Sequence, residues 1–249
     1  MIRVNLAVLM ALGSICVASA QESPAPTLTT SPATEESPAV TPTPSPAPEE
    51  SPSPSPSASP ARSVRLRFVP PPMEGTISLG IFDGNGKLVR VLHREAKIDS
   101  FIVDPDSLST GWDGKNDTGE DLPPGKYRGR GYLVGRFKVE DLGKAAVPPA
   151  KAAANHVAVK LVMNPLVSDT RSVVDLGVGF DDKGSFLKTM DGLPLGTVSK
   201  ASNLVRASIT KNGEKSVDVW QDDGSMVERF RVSNIDQLMA FDCGFVEWK

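Results

Sequence analysis

The chain has 249 residues and a formal net charge of −3, with 22 prolines but only two cysteines and two histidines. Nucleic-acid binding is not expected, because it needs a clustered basic face and the sequence contains no such cluster. A disulfide framework and a histidine-based metal or catalytic site are not expected from so few side chains of these types.

The N-terminus has the pattern of a secretory signal peptide over residues 1–20. Arg3 supplies a positive charge, residues 4–17 form an almost uncharged apolar run, and Ala18-Ser19-Ala20 is a small-residue cleavage pattern. A retained membrane anchor is the alternative, but the apolar run is shorter than the ~20 residues that a spanning helix needs. The sequence therefore predicts a mature chain that begins at Gln21 in the periplasm, at the cell surface or in the medium.

The two cysteines lead to different expectations. Cys16 raises the alternative of a lipoprotein, but Ile15 stands where a small residue normally precedes a lipidated cysteine. Cleavage of the signal leaves Cys243 alone, so no disulfide can form within the mature chain. We expect Cys243 to be a small buried hydrophobic side chain rather than a reactive or intermolecular thiol.

A proline-rich spacer follows the predicted signal peptide. Residues 21–62 consist almost entirely of Pro, Ser, Thr, Ala and Glu, and they contain no aromatic side chain. Such a composition predicts disorder with extended polyproline II character, because too little apolar surface is available for a core. The spacer could span on the order of 100 Å. Docking of its prolines onto another module and glycosylation of its hydroxyls remain open alternatives.

Short alternating strands dominate the pattern after residue 62. Alternation predicts strands at 64–68, 76–82 and 88–92, and Asp83-Gly84-Asn85-Gly86 is a hairpin turn signal between the second and third. Further strands are predicted near 101–103, before Trp112, and at 127–134. Strands of this length with turn residues between them are typical of an antiparallel β-sandwich.

Three short segments together resemble a known family. Gly111-Trp112-Asp113-Gly114-Lys115-Asn116-Asp117-Thr118-Gly119 is followed by Pro124-Gly125-Lys126-Tyr127, and Asp83 to Arg90 precedes both. Together they resemble the FlgD-type immunoglobulin-like domain of the flagellar hook-capping protein, over residues 63–140. The resemblance implies an Ig-like sandwich with Trp112 and Tyr127 in its core. A role in the hook cap is not expected, because this chain carries a general secretory signal and a spacer instead.

The remainder is expected to be a connector at 141–155 and a β-rich unit at 156–249. Phe180 to Phe186 and Trp220 to Met226 form a weak repeat, each with an aromatic strand end and an acidic glycine turn. Over residues 168–249 this pattern resembles NHL-type propeller blades, although propellers typically need at least four blades. Ordinary hairpins with coincident spacing are the alternative. The overall fold class is therefore predicted to be all-β.

No catalytic or cofactor-binding residue is predicted. His93 and His156 lie in alternating strands and are expected to be exposed. Calcium is the one weak metal candidate, because hard oxygen atoms cluster between the two glycine turns. The calcium candidates are Asp113, Asn116 and Asp117, with Glu120 and Asp121 beside them and the acid pairs at 181–182 and 222–223 weaker still. Turn formation explains these residues without an ion, so we expect no metal and no cofactor.

The aromatic side chains suggest a possible sugar platform. Trp112, Tyr127, Trp220 and Trp248 are spread over separate segments, and core packing is the favoured explanation. The predicted function is that of a secreted, non-enzymatic structural or interaction protein whose partner is a protein or an envelope polymer. The alternative is a carbohydrate-binding or envelope-polymer-binding protein, and an enzyme is the third class.

Overall fold

The computed structural model describes residues 62–146, 156–166, 169 and 171–249. The predicted signal peptide, the spacer before residue 62 and the connector residues 147–155 lie outside the described residues. Within them the chain forms β-strands and one 3-10 turn at Ile98–Ser100. The predicted all-β fold class is confirmed.

The described residues form fifteen β-strands. Six strands come first: β1 (Val64–Phe68), β2 (Thr76–Phe82), β3 (Leu88–Ala96), β4 (Ile102–Asp104), β5 (Ser107–Trp112) and β6 (Gly125–Val134). Eight follow: β7 (Lys138–Lys144), β8 (Val157–Lys160), β9 (Val173–Asp181), β10 (Gly184–Thr189), β11 (Pro194–Ser199), β12 (Arg206–Lys211), β13 (Ser216–Asp222) and β14 (Val227–Ser233). The final strand is β15 (Leu238–Trp248).

Strands β1–β6 and β15 form a β-sandwich, called the sandwich below. A three-stranded sheet in the order β1-β5-β4 faces a four-stranded sheet in the order β15-β6-β2-β3. Alternate residues of each strand point inward, so apolar side chains from the facing surfaces of the two sheets pack together. These buried side chains include Leu66, Phe68, Ile77, Leu79, Ile81, Leu108, Trp112, Tyr127, Leu133 and Phe241.

Strands β7–β14 form an insert between the sixth and the last strand of the sandwich. The insert contains two four-stranded antiparallel sheets, in the orders β11-β10-β9-β8 and β12-β13-β14-β7. Its core also includes Tyr132 and Val134 of β6 and Leu238 and Ala240 of β15. The four-stranded sheet of the sandwich is therefore covered on both faces, by β1-β5-β4 on one side and by the insert on the other.

The predicted boundaries differ from the observed strand pairing. Ten residues of β15 pair with β6, from Leu238 opposite Val134 to Trp248 opposite Gly125. The range 63–140 therefore lacks one strand of the sandwich, and that strand comes from the end of the predicted unit 156–249. The predicted connector at 141–155 begins inside β7, which pairs with β14.

The predicted short-range hairpins are confirmed. Asp83 accepts the backbone N–H of Gly86, and its side chain accepts those of Asn85 and Lys87, which closes the turn between β2 and β3. Both members of the weak repeat are also hairpins. They differ in length, since Asp181 lies opposite Gly184 whereas Asp222 lies opposite Val227. The resemblance to propeller blades stays a prediction.

Candidate binding groove

The calcium candidates lie in a loop between β5 and β6 whose oxygen atoms already accept backbone hydrogen bonds. One carboxylate oxygen of Asp113 accepts the N–H of Lys115 at 3.1 Å. The amide oxygen of Asn116 accepts the N–H groups of Thr118 at 3.0 Å and Glu120 at 2.9 Å. These are the short-range side-chain turns that Asx residues form in water-exposed loops.

Asp117 has a different role, because it faces the edge of the sandwich. Its carboxylate accepts the N–H of Val91 in β3 at 2.9 Å. The side chain thereby accepts a hydrogen bond from a backbone N–H group that the edge strand β3 would otherwise leave unpaired. Beside it, hydrogen bonds from Asn116 and Thr118 lower the pKa of Glu120. The loop is thus fastened to β3 and to itself.

We expect calcium to leave the stability of the protein unchanged. Thermal unfolding in millimolar calcium and in excess chelator should agree, whereas a true site would add about 2.7 kcal/mol at a hundredfold excess over Kd. Asp117→Ala should cost about 1 kcal/mol in both conditions, because the Val91 amide loses its acceptor. A rise of several degrees with calcium that Asp113→Ala or Asp117→Ala abolishes would contradict this account.

The aromatic side chains divide between core and surface. Trp112 is 1% exposed and Tyr127 is 5% exposed, and their rings pack edge to face with centroids 5.0 Å apart. The prediction that both lie in the core is confirmed. Trp248 packs on Trp112 at 5.6 Å, whereas Trp220 is partly exposed on β13 with Arg229 over its ring. The four aromatic rings do not form one platform.

The histidine and cysteine predictions have mixed outcomes. His156 is exposed, but the expectation that His93 is exposed is wrong. His93 is half-buried, packs at a tilt against the ring of Phe101 and bonds to the hydroxyl of Thr110 at 2.9 Å, and burial lowers its pKa. The alternating pattern around His93 does not indicate this packing, because His93 lies on an edge strand. Cys243 is half-buried beside the sandwich core, and burial raises the pKa of its thiol.

A β-bulge at the end of β3 joins the sandwich to the insert. Ile77 pairs with Ala96 and Leu79 pairs with His93, so two residues of β3 oppose one residue of β2. The two residues of the bulge are Arg94 and Glu95, and Glu95 has a φ of 50°. A left-handed backbone costs a residue with a side chain about 1–2 kcal/mol, so contacts elsewhere must offset it.

Those contacts come from the insert. In a regular strand consecutive side chains point to opposite faces, whereas the bulge directs both Arg94 and Glu95 toward the insert. Arg94 pairs with Asp181 at 2.8 Å and lies over the ring of Phe186 at 4.1 Å. Glu95 accepts the backbone N–H of Thr197 at 2.9 Å and its hydroxyl at 2.6 Å.

A groove of about 560 Å³ opens beside this junction. Its walls come from the start of β2, the end of β3, the link from β6 to β7, and β11. Phe137 gives it a half-buried aromatic wall, Val139 adds exposed apolar surface, and Lys97 and Arg136 form an exposed cationic rim. It combines an apolar surface with a few polar groups, as small-ligand sites do.

The aromatic wall depends on a glycine. A Cβ added at Gly196 would lie 2.7 Å from the ring of Phe137, closer than carbon atoms can approach. The ring therefore lies directly on the backbone of β11. Any larger residue at position 196 would push Phe137 out of the groove wall.

The groove lies at the far end of the sandwich from the start of the described chain. Arg62 lies over the ring of Trp248, which pairs with Gly125 at the first residue of β6. Val134, the last residue of β6, lines the groove. Ten strand residues separate the two ends, or roughly 30 Å.

Sequence patterns contain no signal for this groove. Its polar residues come from segments as distant as Lys97 and Thr197, and only tertiary pairing brings them together. The left-handed Glu95 has no sequence signature, because glutamate is not a residue that favours such backbone. Phe137 is an isolated aromatic after a strand, a position that is common in any β protein.

Comparison with protein-family models, with curated proteins and with solved structures finds no match for the chain. Among the described residues no group of three or more His, Cys, Asp or Glu side chains is arranged to hold a metal ion. In the same part of the chain, no helix has the length and apolar character needed to cross a membrane.

Proposed function

We propose that the chain is a secreted, non-enzymatic interaction protein that binds its partner in the groove between the sandwich and the insert. The observation that carries the proposal is the position of this groove, at the end of the sandwich opposite Arg62. A proline-rich spacer attached at Arg62 would present the groove away from the attachment point. The partner is a protein or an envelope polymer outside the cytoplasm.

The sandwich is proposed to be an immunoglobulin-like module of the FlgD type. In support, seven strands form two facing sheets, and the predicted turn residues lie between β2 and β3 and between β5 and β6. Trp112 and Tyr127 also pack where the resemblance predicts them. The last strand of the sandwich follows the insert in the chain. The family pattern does not include such an insert.

Crosslinking in intact cells tests the proposed function. The mature protein should capture a defined partner, and Arg136→Gln and Phe137→Ala should abolish the capture. Arg206→Gln is the matched control, because Arg206 is another exposed arginine, on β12, and does not line the groove. Equal capture by all four proteins would place the binding surface elsewhere and contradict the proposal.

The predicted location has a separate test. We expect the N-terminus of the protein isolated from its native cells to be Gln21, because the apolar run ends at Ala18-Ser19-Ala20. Mass spectrometry of the N-terminal peptide gives the result directly. Recovery of the intact chain from Met1 in the soluble cytosol would contradict an extracytoplasmic location.

A further inference from the structure

The rim of the groove presents positive charge to an incoming ligand. Lys97 and Arg136 are exposed, and the side chain of Arg136 is 90% exposed. The carboxylate of Glu74 lies 3.9 Å from Arg136, but this pair is fully exposed and therefore weak. The other nearby acid, Glu95, is directed at Thr197 instead. A ligand carboxylate could therefore displace Glu74 and bind between the two cations.

The backbone around the groove disfavours an extended peptide. A peptide that adds to a sheet edge needs free N–H and C=O groups along that edge. The N–H of Thr197 on β11 is already bound to Glu95, and the N–H of Gly135 donates to the backbone oxygen of Gln237 at 2.8 Å. These two N–H groups are therefore not available to a peptide strand.

The remaining surface matches a sugar ring. A pyranose has an apolar face of C–H groups and a polar edge of hydroxyls. Phe137 and Val139 provide apolar contact, while Thr76 and the two cations provide polar groups around it. The volume of about 560 Å³ lies within the range of roughly 300–1,000 Å³ that is typical of small-ligand sites.

We infer that the groove binds an anionic polysaccharide whose sugar units carry carboxylate groups, with the carboxylates at Lys97 and Arg136 and a sugar ring against Phe137. This inference rests on the proposed function of the groove and adds the chemistry of its ligand. Binding is expected to weaken with added salt, because the cations are exposed and are screened within about 10 Å at 0.1 M.

Three polymers test the inference by calorimetry on the full mature chain. Polygalacturonate supplies carboxylates on sugar rings, dextran supplies uncharged sugar rings, and poly-L-glutamate supplies carboxylates on a peptide. We expect polygalacturonate to bind, and its affinity to fall at least tenfold in Arg136→Gln and in Phe137→Ala but less than twofold in Arg206→Gln. Because Arg136 is exposed, its replacement leaves the fold intact and keeps the test independent of folding.

The other outcomes overturn the inference in distinguishable ways. Equal, groove-dependent binding of poly-L-glutamate would show that the groove takes any acidic polymer, and binding of dextran would show that charge is irrelevant. If no polymer binds but crosslinking in cells still depends on Arg136 and Phe137, the sugar chemistry is wrong and the proposed function stands. Polygalacturonate binding that ignores both groove variants would locate the sugar site elsewhere.

Discussion

Trp112→Ala should lower the free energy of unfolding by about 3–5 kcal/mol, the usual loss when a large buried aromatic side chain is removed. The ring is 1% exposed and contacts Tyr127 and Trp248. Its indole N–H donates to the backbone oxygen of Lys115 at 3.0 Å, so the same side chain also fastens the acidic loop. Gly114 leaves room for this packing, since a Cβ there would overlap the ring of Trp248.

Trp220→Ala is the matched control, because Trp220 is partly exposed on the insert. We expect it to cost about 1 kcal/mol, because the partly exposed ring loses its hydrogen bond to the hydroxyl of Thr210 and its contact with Arg229. Urea unfolding of the two variants gives both values. A loss below about 1 kcal/mol for Trp112→Ala would mean that the ring is exposed, and would return it to the list of possible sugar contacts.

Asp218→Asn should destabilise the protein by about 2–3 kcal/mol, less than the 3–5 kcal/mol of a fully buried pair. The Asp218 side chain is 5% exposed and accepts hydrogen bonds from Arg231 at 2.9 Å, Arg229 at 3.1 Å and Asn212 at 3.1 Å. Asparagine keeps the shape but removes the charge, which leaves two guanidinium groups without the negative charge that they share. Those groups are about one third exposed, so water offsets part of the loss.

Asp222→Asn provides the control on the same strand. Asp222 pairs with Arg206, whose side chain is 62% exposed, so the pair contributes less than about 1 kcal/mol. The asparagine oxygen can still accept the N–H of Gly224 that the carboxylate accepts. Equal losses in Asp218→Asn and Asp222→Asn would contradict the special position of Asp218.

The loss from Asp218→Asn should also depend on pH. Burial alone would raise the pKa of Asp218, but hydrogen bonds from Arg231, Arg229 and Asn212 outweigh it and lower the pKa. The folded state thus holds this proton less tightly than the unfolded state, where aspartate titrates near about 3.9. The stabilisation is therefore complete above that pH and is lost as the pH falls through the lower folded value.

Urea unfolding between pH 7 and pH 3 gives this dependence. The difference between the wild type and Asp218→Asn should be constant above pH ~5 and should narrow below pH ~4. A difference that persists unchanged to pH 3 would show that the charge of Asp218 is not what stabilises the network, because the unfolded state takes up this proton near pH ~3.9 whatever the folded pKa.

The local structure was predictable because short-range chemistry fixes it. Asp83 to Gly86 closes a turn by hydrogen bonds within five residues, and such a turn forms wherever alternating strands flank it. The burial of Trp112 was predictable from its place at a strand end before two glycine turns. In both cases the determining residues are neighbours in the sequence, so the pattern contains the information.

The long-range pairing was not predictable in the same way. β15 begins with four consecutive buried residues, Leu238 to Phe241, but such an apolar run does not show that its partners lie on β6, more than a hundred residues earlier. The prediction from the sequence followed the order of the chain and therefore placed β15 in the C-terminal unit. Because β15 pairs with β6, the strands between them in the chain form an insert in the sandwich.

The groove was missed because it depends on a local departure from regular alternation. Sequence alternation ended the third predicted strand at residue 92, whereas β3 continues to Ala96 through the bulge. Only with the bulge do Arg94 and Glu95 reach the insert together.

The groove exists only where the sandwich and the insert meet, so the two parts are expected to form one fixed body. Hydrogen–deuterium exchange with mass spectrometry, across a urea series, tests it directly. Peptides that cover Thr76–Phe82 of the sandwich and Ser216–Asp222 of the insert should lose protection at the same urea concentration, because β6 and β15 contribute to the cores of both parts. Separate midpoints for the two peptides would mean independently unfolding domains, and a groove that is not fixed by the fold.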